Sequence, residues 1–370
     1  MNINSPLLVP KPQLKRDRAT PYLNFSPKFW YSVCQANYRE LPLNALILLG
    51  LITSGISVAW ADWTSIAQGT GFYTDDVGIF SATRRLTRDG DPTQPALDSK
   101  LVGQGSDFVF GPMAEVSNAF DHRLGKTTLD LQGSGFIYAD NPRYNHGTLR
   151  VQAKQAFTPE TALLFRYYYA PDLFLGDNEE RQTGKFLIVG EQVTSHIWST
   201  RLTQELTKGL EVKLLGRYGL RNYNQAYSER NINFWTIGPH LEWKILPAVK
   251  LGLAYHYERG LADGRNQPKF EDDVSYINHY GSVDFDVELT ERLTLMLAFH
   301  YERNNWTSSL IGDERNGAYE NVYQGEALID YPINAMTHTY FGVQHSRRRQ
   351  NFEAEAAVNT NVGLGLTATF

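Results

Sequence analysis

Cysteine is nearly missing. The chain of 370 residues has one, Cys34, and it stands in a leader expected to be removed. A mature chain without cysteine excludes disulfides, thiolate metal sites and cysteine nucleophiles, and equally a lipid-modified cysteine after the signal. Long apolar runs are also scarce. Mean hydropathy is -0.38, too polar for a bundle of membrane helices. From Asp62 onward no stretch carries the 3.6-residue period of an amphipathic helix. The net charge of -5 comes without a clustered basic stripe, so nucleic acid is not an expected partner. No G-x-S-x-G turn is present to hold a strained nucleophile. The histidines do not pair at i, i+2 or i, i+4, so neither a metal nor another cofactor is expected.

The one true apolar run, Leu43 to Val58, is followed by Ala59-Trp60-Ala61. An apolar core ending in A-x-A is the pattern of a secretory signal, with cleavage predicted after Ala61. A membrane anchor is the alternative, but Thr53, Ser54 and Gly55 weaken a helix there. Residues 1–61 are therefore read as leader and signal, and 62–370 as the mature unit. The residues before the run carry Lys11, Lys15, Arg16, Arg18, Lys28 and Arg39 and are given no role in the fold.

What is abundant is alternation. Between Ile232 and Gly260, Trp235, Ile237, Leu241, Trp243 and Ile245 fall on one parity, and Thr236, Gly238, His240, Glu242 and Lys244 on the other. After Leu246-Pro247-Ala248 the pattern resumes with Val249, Leu251, Leu253, Tyr255 and Tyr257. Two period-two runs joined by a tight turn are a hairpin. Trp235 and Trp243 are separated by roughly 20 Å along the axis of a tilted strand, close to the height of an apolar band between two aromatic girdles. A soluble β-sandwich with a tryptophan-rich core would show the same single hairpin.

The remaining chain separates the two. Strands are predicted at about 66–83, 107–120, 126–139, 146–157, 160–170, 190–206, 210–222, 230–245, 248–260, 274–290, 292–303, 319–331, 335–347 and 357–370. Their connections alternate in length. Short ones lie at 121–125, 158–160, 207–209, 246–248, 290–291 and 331–334. Long ones lie at 86–106, 171–189, 261–273, 304–318 and in the basic stretch Ser346–Gln350. Short turns on one side and long loops on the other are the layout of an outer-membrane barrel. The predicted fold is all-β: a transmembrane antiparallel up-and-down β-barrel of about 14 strands, with short periplasmic turns and long extracellular loops. Reading 62–106 as an inserted arm would lower the count to about 12.

The last strand, Val362-Gly-Leu-Gly-Leu-Thr-Ala-Thr-Phe370, points Val362, Leu364, Leu366 and Phe370 to one face and ends on an aromatic. With the signal and the alternating strands, this resembles Gram-negative outer-membrane β-barrel proteins of porin-like type. The resemblance implies the bacterial outer membrane as location and outer-membrane lipid and lipopolysaccharide as surroundings. It also implies that the barrel assembly machinery reads the C-terminal strand. It singles out no family within the class.

A barrel of about 14 strands is wide enough for a narrow lumen. Opposite the apolar parity stand Arg150, Lys154, Arg166, Arg201, Lys213, Arg217 and Arg221, and then Glu242, Glu258, Asp284, Asp286, Glu288, Glu302, Glu326 and Asp330. The signs are segregated into a basic and an acidic wall. Two readings stand: charges facing each other across water in a pore for small solutes, or charges paired across a closed lumen. Trp235, Trp243, Tyr255, Tyr257 and Tyr301 are read as girdle residues, and Phe136, Tyr138, Tyr168 and Tyr280 as inward aromatics. His-Tyr-Glu-Arg recurs at 256–259 and 300–303 and is read as an echo of strand design. Asn278, His279 and Ser282 hold the residue types of a lipid-facing hydrolase, but parity sends the histidine to the other face. The reading is a non-enzymatic channel for passive diffusion of small hydrophilic or charged solutes. Its alternatives are an accessory barrel in polysaccharide or surface-protein export with a closed lumen and, less favoured, a hydrolase.

Overall fold

The computed structural model describes residues 62–86, 92–95 and 103–370. The expected leader, its signal and Cys34 lie outside them. Fourteen strands form one closed antiparallel sheet in which every strand pairs with its neighbours in sequence and β1 with β14. They are β1 (Asp62–Thr74), β2 (Asp107–His122), β3 (Gly125–Tyr138), β4 (His146–Ala156), β5 (Thr161–Glu179), β6 (Ile188–Thr207) and β7 (Leu210–Tyr223). The second half holds β8 (Ile232–Leu246), β9 (Val249–Ala262), β10 (Tyr276–Glu288), β11 (Thr294–Trp306), β12 (Tyr319–Pro332), β13 (Thr337–Gln350) and β14 (Ala357–Thr369). Closure is made at Ser65 and Phe370, whose backbone groups exchange hydrogen bonds at 3.0 and 2.8 Å. A closed sheet leaves no edge, which lets strands rather than helices stand in lipid.

Sidedness follows the alternation. Trp235, Ile237, Trp243, Leu253 and Tyr255 are exposed on the outside, while Phe234, Thr236 and Glu258 are buried on the inside. The outside is a continuous apolar skin and the inside is polar, the reverse of a water-soluble barrel.

Three expectations are corrected. The first strand ends at Thr74, not near 83, and an eight-residue helix, α1 (Val77–Arg84), follows. Asp76 starts it: its carboxylate accepts from the Gly78 N–H at 2.9 Å, the capping geometry that satisfies a first-turn donor. Val77, Phe80 and Arg84, at helical spacing, turn inward, and Phe80 packs on Phe72, Phe136 and Tyr138 with ring centroids 5.6–6.2 Å apart. One short helix between two strands is too brief a signal for periodicity to separate from alternation. Second, the 171–189 loop is shorter than expected. β5 continues past Pro171 to Glu179 through two register shifts, with Asp172 at φ 43°; such bulges carry a strand past a residue that cannot donate. Third, Ser346–Gln350 is not a loop. It is the upper end of β13, so Arg347 and Arg349 face out and Arg348 faces in.

Candidate functional site: the charged lumen

The β1–β2 connection does not lie over the outside. Its described parts cross the lumen. Arg221, on β7, donates from Nη2 to the carbonyls of Pro92 at 3.2 Å and Gln94 at 3.3 Å, and from Nη1 to the Tyr276 hydroxyl at 2.9 Å. Ser195, on β6, donates to the Thr93 carbonyl at 2.8 Å. Arg85, just beyond α1, forms an ion pair with Glu302 on β11. Arg84 lies over the Phe136 ring, 3.2 Å from its centroid, with His146 Nε2 3.2 Å away. The segment is thus tied to both halves of the wall at the end carrying the long loops.

Below it lies a cavity of about 640 Å³, lined by residues of both charge signs and by the tip of the inward segment at Arg85, Leu86 and Pro92. Exposure along its walls rises toward the short turns: Arg221 and Glu302 are 2 % exposed, whereas Lys154 is exposed and Thr203 and Glu211 are half-buried. The cavity therefore widens toward the short-turn side and is narrowed toward the other end by the described part of the segment.

The predicted basic positions all face inward. Arg150 pairs with Glu115 at 2.7 Å, and Arg166 bonds Gln152 and lies 3.4 Å from the Tyr168 hydroxyl. Lys213 pairs with Glu211 at 2.9 Å and with Glu242, and Arg217 stands 3.9 Å from Glu258. Lys154 and Arg201 line the cavity, and Tyr168 lies among these arginines. On the acidic side, Glu242 is also held by Lys250, and Glu258 accepts from Thr236 at 2.5 Å and Tyr276 at 2.7 Å. Asp284 accepts from Ser282 at 3.4 Å. Glu326 accepts from Gln324 at 2.6 Å and Gln344 at 3.2 Å, and Asp330 lies 3.6 Å from His338. Asp286 is buried in the wall, and Glu288 is exposed at the short-turn end.

The walls are therefore segregated but not separate. Across β7, β8 and β9, Lys213 with Glu242 and Arg217 with Glu258 knit positive to negative directly, and Arg85 carries a positive charge from the segment to the acidic side. Charges in contact neutralise one another locally, which removes part of the field that facing walls would set up. Arg221 both lines the cavity and anchors the segment.

Two arrangements were not visible from spacing. His240 and His256, sixteen apart in sequence, meet across β8 and β9 with Nε2 atoms 2.7 Å apart. A shared hydrogen bond requires one of those rings to be neutral. Tyr280 stacks on His256 at 5.1 Å and bonds His300 Nδ1 at 2.8 Å, and His300 Nε2 lies 3.5 Å from Glu326. Only cross-strand register could have joined these residues. Their side chains are thus engaged with one another, and among the described residues no group of three histidine, cysteine, aspartate or glutamate side chains is arranged to hold a metal. Asn278 and Ser282 are buried in the lumen while His279 faces outward to the Tyr255 hydroxyl at 2.8 Å.

On the outer face Trp235 packs on Tyr257 with centroids 5.3 Å apart, Tyr301 on Tyr323 at 5.1 Å, and Trp243 stands near the short turn. Val362, Leu364 and Leu366 face outward on β14, and Phe370 projects from its end, 68 % exposed.

No family model matches the chain, and no curated protein does. Among solved structures, it is similar to the outer membrane channel DcaP of Acinetobacter baumannii, at 10 % identity over 84 % of this chain and 97 % of that one, with a TM-score of 0.49. It is similar to an anion-selective porin from Comamonas acidovorans, at 9 % identity over 84 % and 99 % with a TM-score of 0.46. A bacterial polysaccharide outer membrane secretin matches at 8 % identity over 84 % and 98 %, with a TM-score of 0.47. Likeness at this level carries no argument about activity. The closed sheet, the apolar outer skin and the polar lumen give this chain the fold of a transmembrane up-and-down β-barrel of fourteen strands.

Proposed function

We propose that the protein is an outer-membrane channel for passive diffusion of small hydrophilic or charged solutes, narrowed by the inward β1–β2 segment. The observation that carries this reading is the charged cavity of about 640 Å³ inside the wall. A lumen meant only to hold a barrel shut would fill with paired side chains, as in small barrels. Here water-sized space remains beside Arg150, Arg166, Arg201 and Arg217. Their guanidiniums offer attraction to anionic groups, and polar walls reject apolar solutes.

Single-channel recording of the purified barrel in a planar bilayer tests it. Steady conductance, with Arg217→Glu moving the reversal potential toward cation preference, is the expected result. A folded, heat-modifiable barrel that never conducts would sink it. That outcome would favour the second reading, an accessory barrel with a closed lumen, which the anchoring of the segment by Arg221, Ser195 and Arg85 supports. A hydrolase has less support, because Asn278 and Ser282 face away from His279.

A further inference from the structure

The recurrence of His-Tyr-Glu-Arg acquires a meaning once β13 is seen to run through Gln350. Three alternate strands, β9, β11 and β13, all rise from a short turn toward a long loop. Each carries an outward ring followed one outward step later by an outward arginine: Tyr257 then Arg259, Tyr301 then Arg303, His345 then Arg347. Arg349 adds one more step on β13. Among the described residues, the outward positions of β8 to β14 hold these four arginines and no carboxylate. Arg259, Arg347 and Arg349 are exposed and Arg303 is half-buried.

Height decides what they meet. Arg259 and Arg347 are the eleventh residues of their strands and Arg303 the tenth, counted from the short turn. A tilted strand crosses the hydrocarbon in about 9–11 residues. An outward arginine at the midplane would cost about 2–4 kcal/mol, a penalty that fades at the interface. Each arginine thus stands where the hydrocarbon ends, just beyond the ring of Tyr257, Tyr301 and Tyr323, on the side of the long loops. Two of the side chains are also held by neighbours, Arg349 donating from Nε to the Glu353 carbonyl at 3.4 Å. Arg303 donates to Asn305 Oδ1 at 3.0 Å and reaches Asn321 Oδ1 at 3.5 Å, with its guanidinium 4.0 Å from the centre of the Tyr319 ring. Asn321 is opposite both Arg303 and Arg349 in the sheet register, and Tyr323 is opposite Arg347. Arg303, Arg347 and Arg349 therefore converge around β12.

We propose that this belt binds the phosphate groups of a phosphorylated glycolipid in the outer leaflet, with the acyl chains lying on the apolar skin of β9 to β13 below it. The occupant follows from charge and position together. Guanidiniums bind phosphate with paired donors, the site lies at headgroup height, and no carboxylate stands at an outward strand position of β8 to β14, Glu353 in the turn after β13 giving its carboxylate to the Gln350 N–H at 2.9 Å. The inference depends on the membrane setting of the barrel and not on whether the lumen conducts.

The test uses the full protein purified from outer membranes and delipidated in detergent. Lipopolysaccharide with its lipid A phosphates, the same lipid after phosphate removal, and inorganic pyrophosphate are titrated against wild type and the variant R303Q/R347Q/R349Q, with bound lipid read by native mass spectrometry. Wild type should retain the phosphorylated lipid, and the variant should bind it about a hundredfold more weakly. Heat-modifiability in electrophoresis should stay unchanged, since the three side chains stand outside the wall. Equal binding of the phosphorylated and dephosphorylated lipids would overturn the proposal. So would unchanged binding by the variant, or pyrophosphate displacing the lipid at equal concentration, which would indicate a site for free anions. Loss of a multimer in the variant with lipid binding intact would assign the belt to contact between copies, and would overturn it as well.

Discussion

At the scale of residues, the lumen depends on a few buried charges whose partners are far away in sequence. Arg221 has the most at stake. It bonds two backbone carbonyls of the inward segment and the Tyr276 hydroxyl, with its guanidinium 4.3 Å from the centre of the Phe234 ring. Arg221→Gln should release the segment, strip Glu258 of a neighbouring positive charge, and destabilise the barrel by about 3 kcal/mol. Thermal unfolding should show a lower midpoint and bilayer recording a larger conductance; a change in the midpoint alone would separate anchoring from constriction. Outside the strands, burial raises the Glu229 carboxyl above its ordinary value, and Gln182 donates to it at 2.6 Å. The folded state then holds that proton more tightly than the unfolded one. Its contribution to loop order is full below pH 4.5, the ordinary glutamate value, and is lost as pH rises through the raised value. Hydrogen exchange at 225–230, corrected for intrinsic rate, should speed up over that interval in wild type and lose the dependence in Glu229→Gln.

At the scale of elements, the wall closes over itself by placing inward rings on glycines of the adjacent strand. Tyr340 on β13 lies opposite Gly365 on β14, where a Cβ would stand 2.1 Å from the ring; its hydroxyl reaches Gln68 and Thr70 on β1, both at 2.7 Å. Tyr276 lies over Gly260 in the same way, at 2.4 Å. Glycine is needed in both places for the close approach. Gly365→Ala should push the Tyr340 ring off its site, break its bonds across the β1–β14 seam and cost about 1–3 kcal/mol. A drop in the temperature at which the folded electrophoretic band disappears reads this out, and unchanged heat-modifiability would show that the seam does not depend on the ring. Helix α1 teaches the opposite lesson about legibility. Eight residues between strands do not repeat often enough to declare a period. The ring cluster of Phe72, Phe136 and Tyr138, which gives Phe80 somewhere to go, is assembled by strands far along the chain.

At the scale of the whole molecule, closure rests on the first and last strands meeting. Phe370 exchanges two backbone bonds with Ser65, so deleting Phe370 should remove one rung of the seam and the terminal ring expected to be read during assembly. The yield of heat-modifiable barrel in outer membranes should fall, and a normal yield would separate the terminal aromatic from assembly. Lumen and skin then divide the roles: proposed passage of charged solutes inside, proposed lipid contact outside. Both depend on one wall only a single residue thick, where each side chain faces either water or hydrocarbon.

Strand number, the alternation of turn lengths and the side each residue faces were legible from the sequence, because a one-layer barrel writes its topology as period two along the chain. Placement of Arg150 through Asp330 on the inner face follows from that same parity. Pairing did not follow. That Lys213 meets Glu242, that His240 meets His256, and that Pro92, Thr93 and Gln94 lie under Arg221 and Ser195 depends on strand register and on one connection turning inward. Neither leaves a mark in local sequence. Charge segregation along the chain was real, but only the tertiary structure decided where the charges face water and where they neutralise each other, because electrostatic energy depends on distance in space.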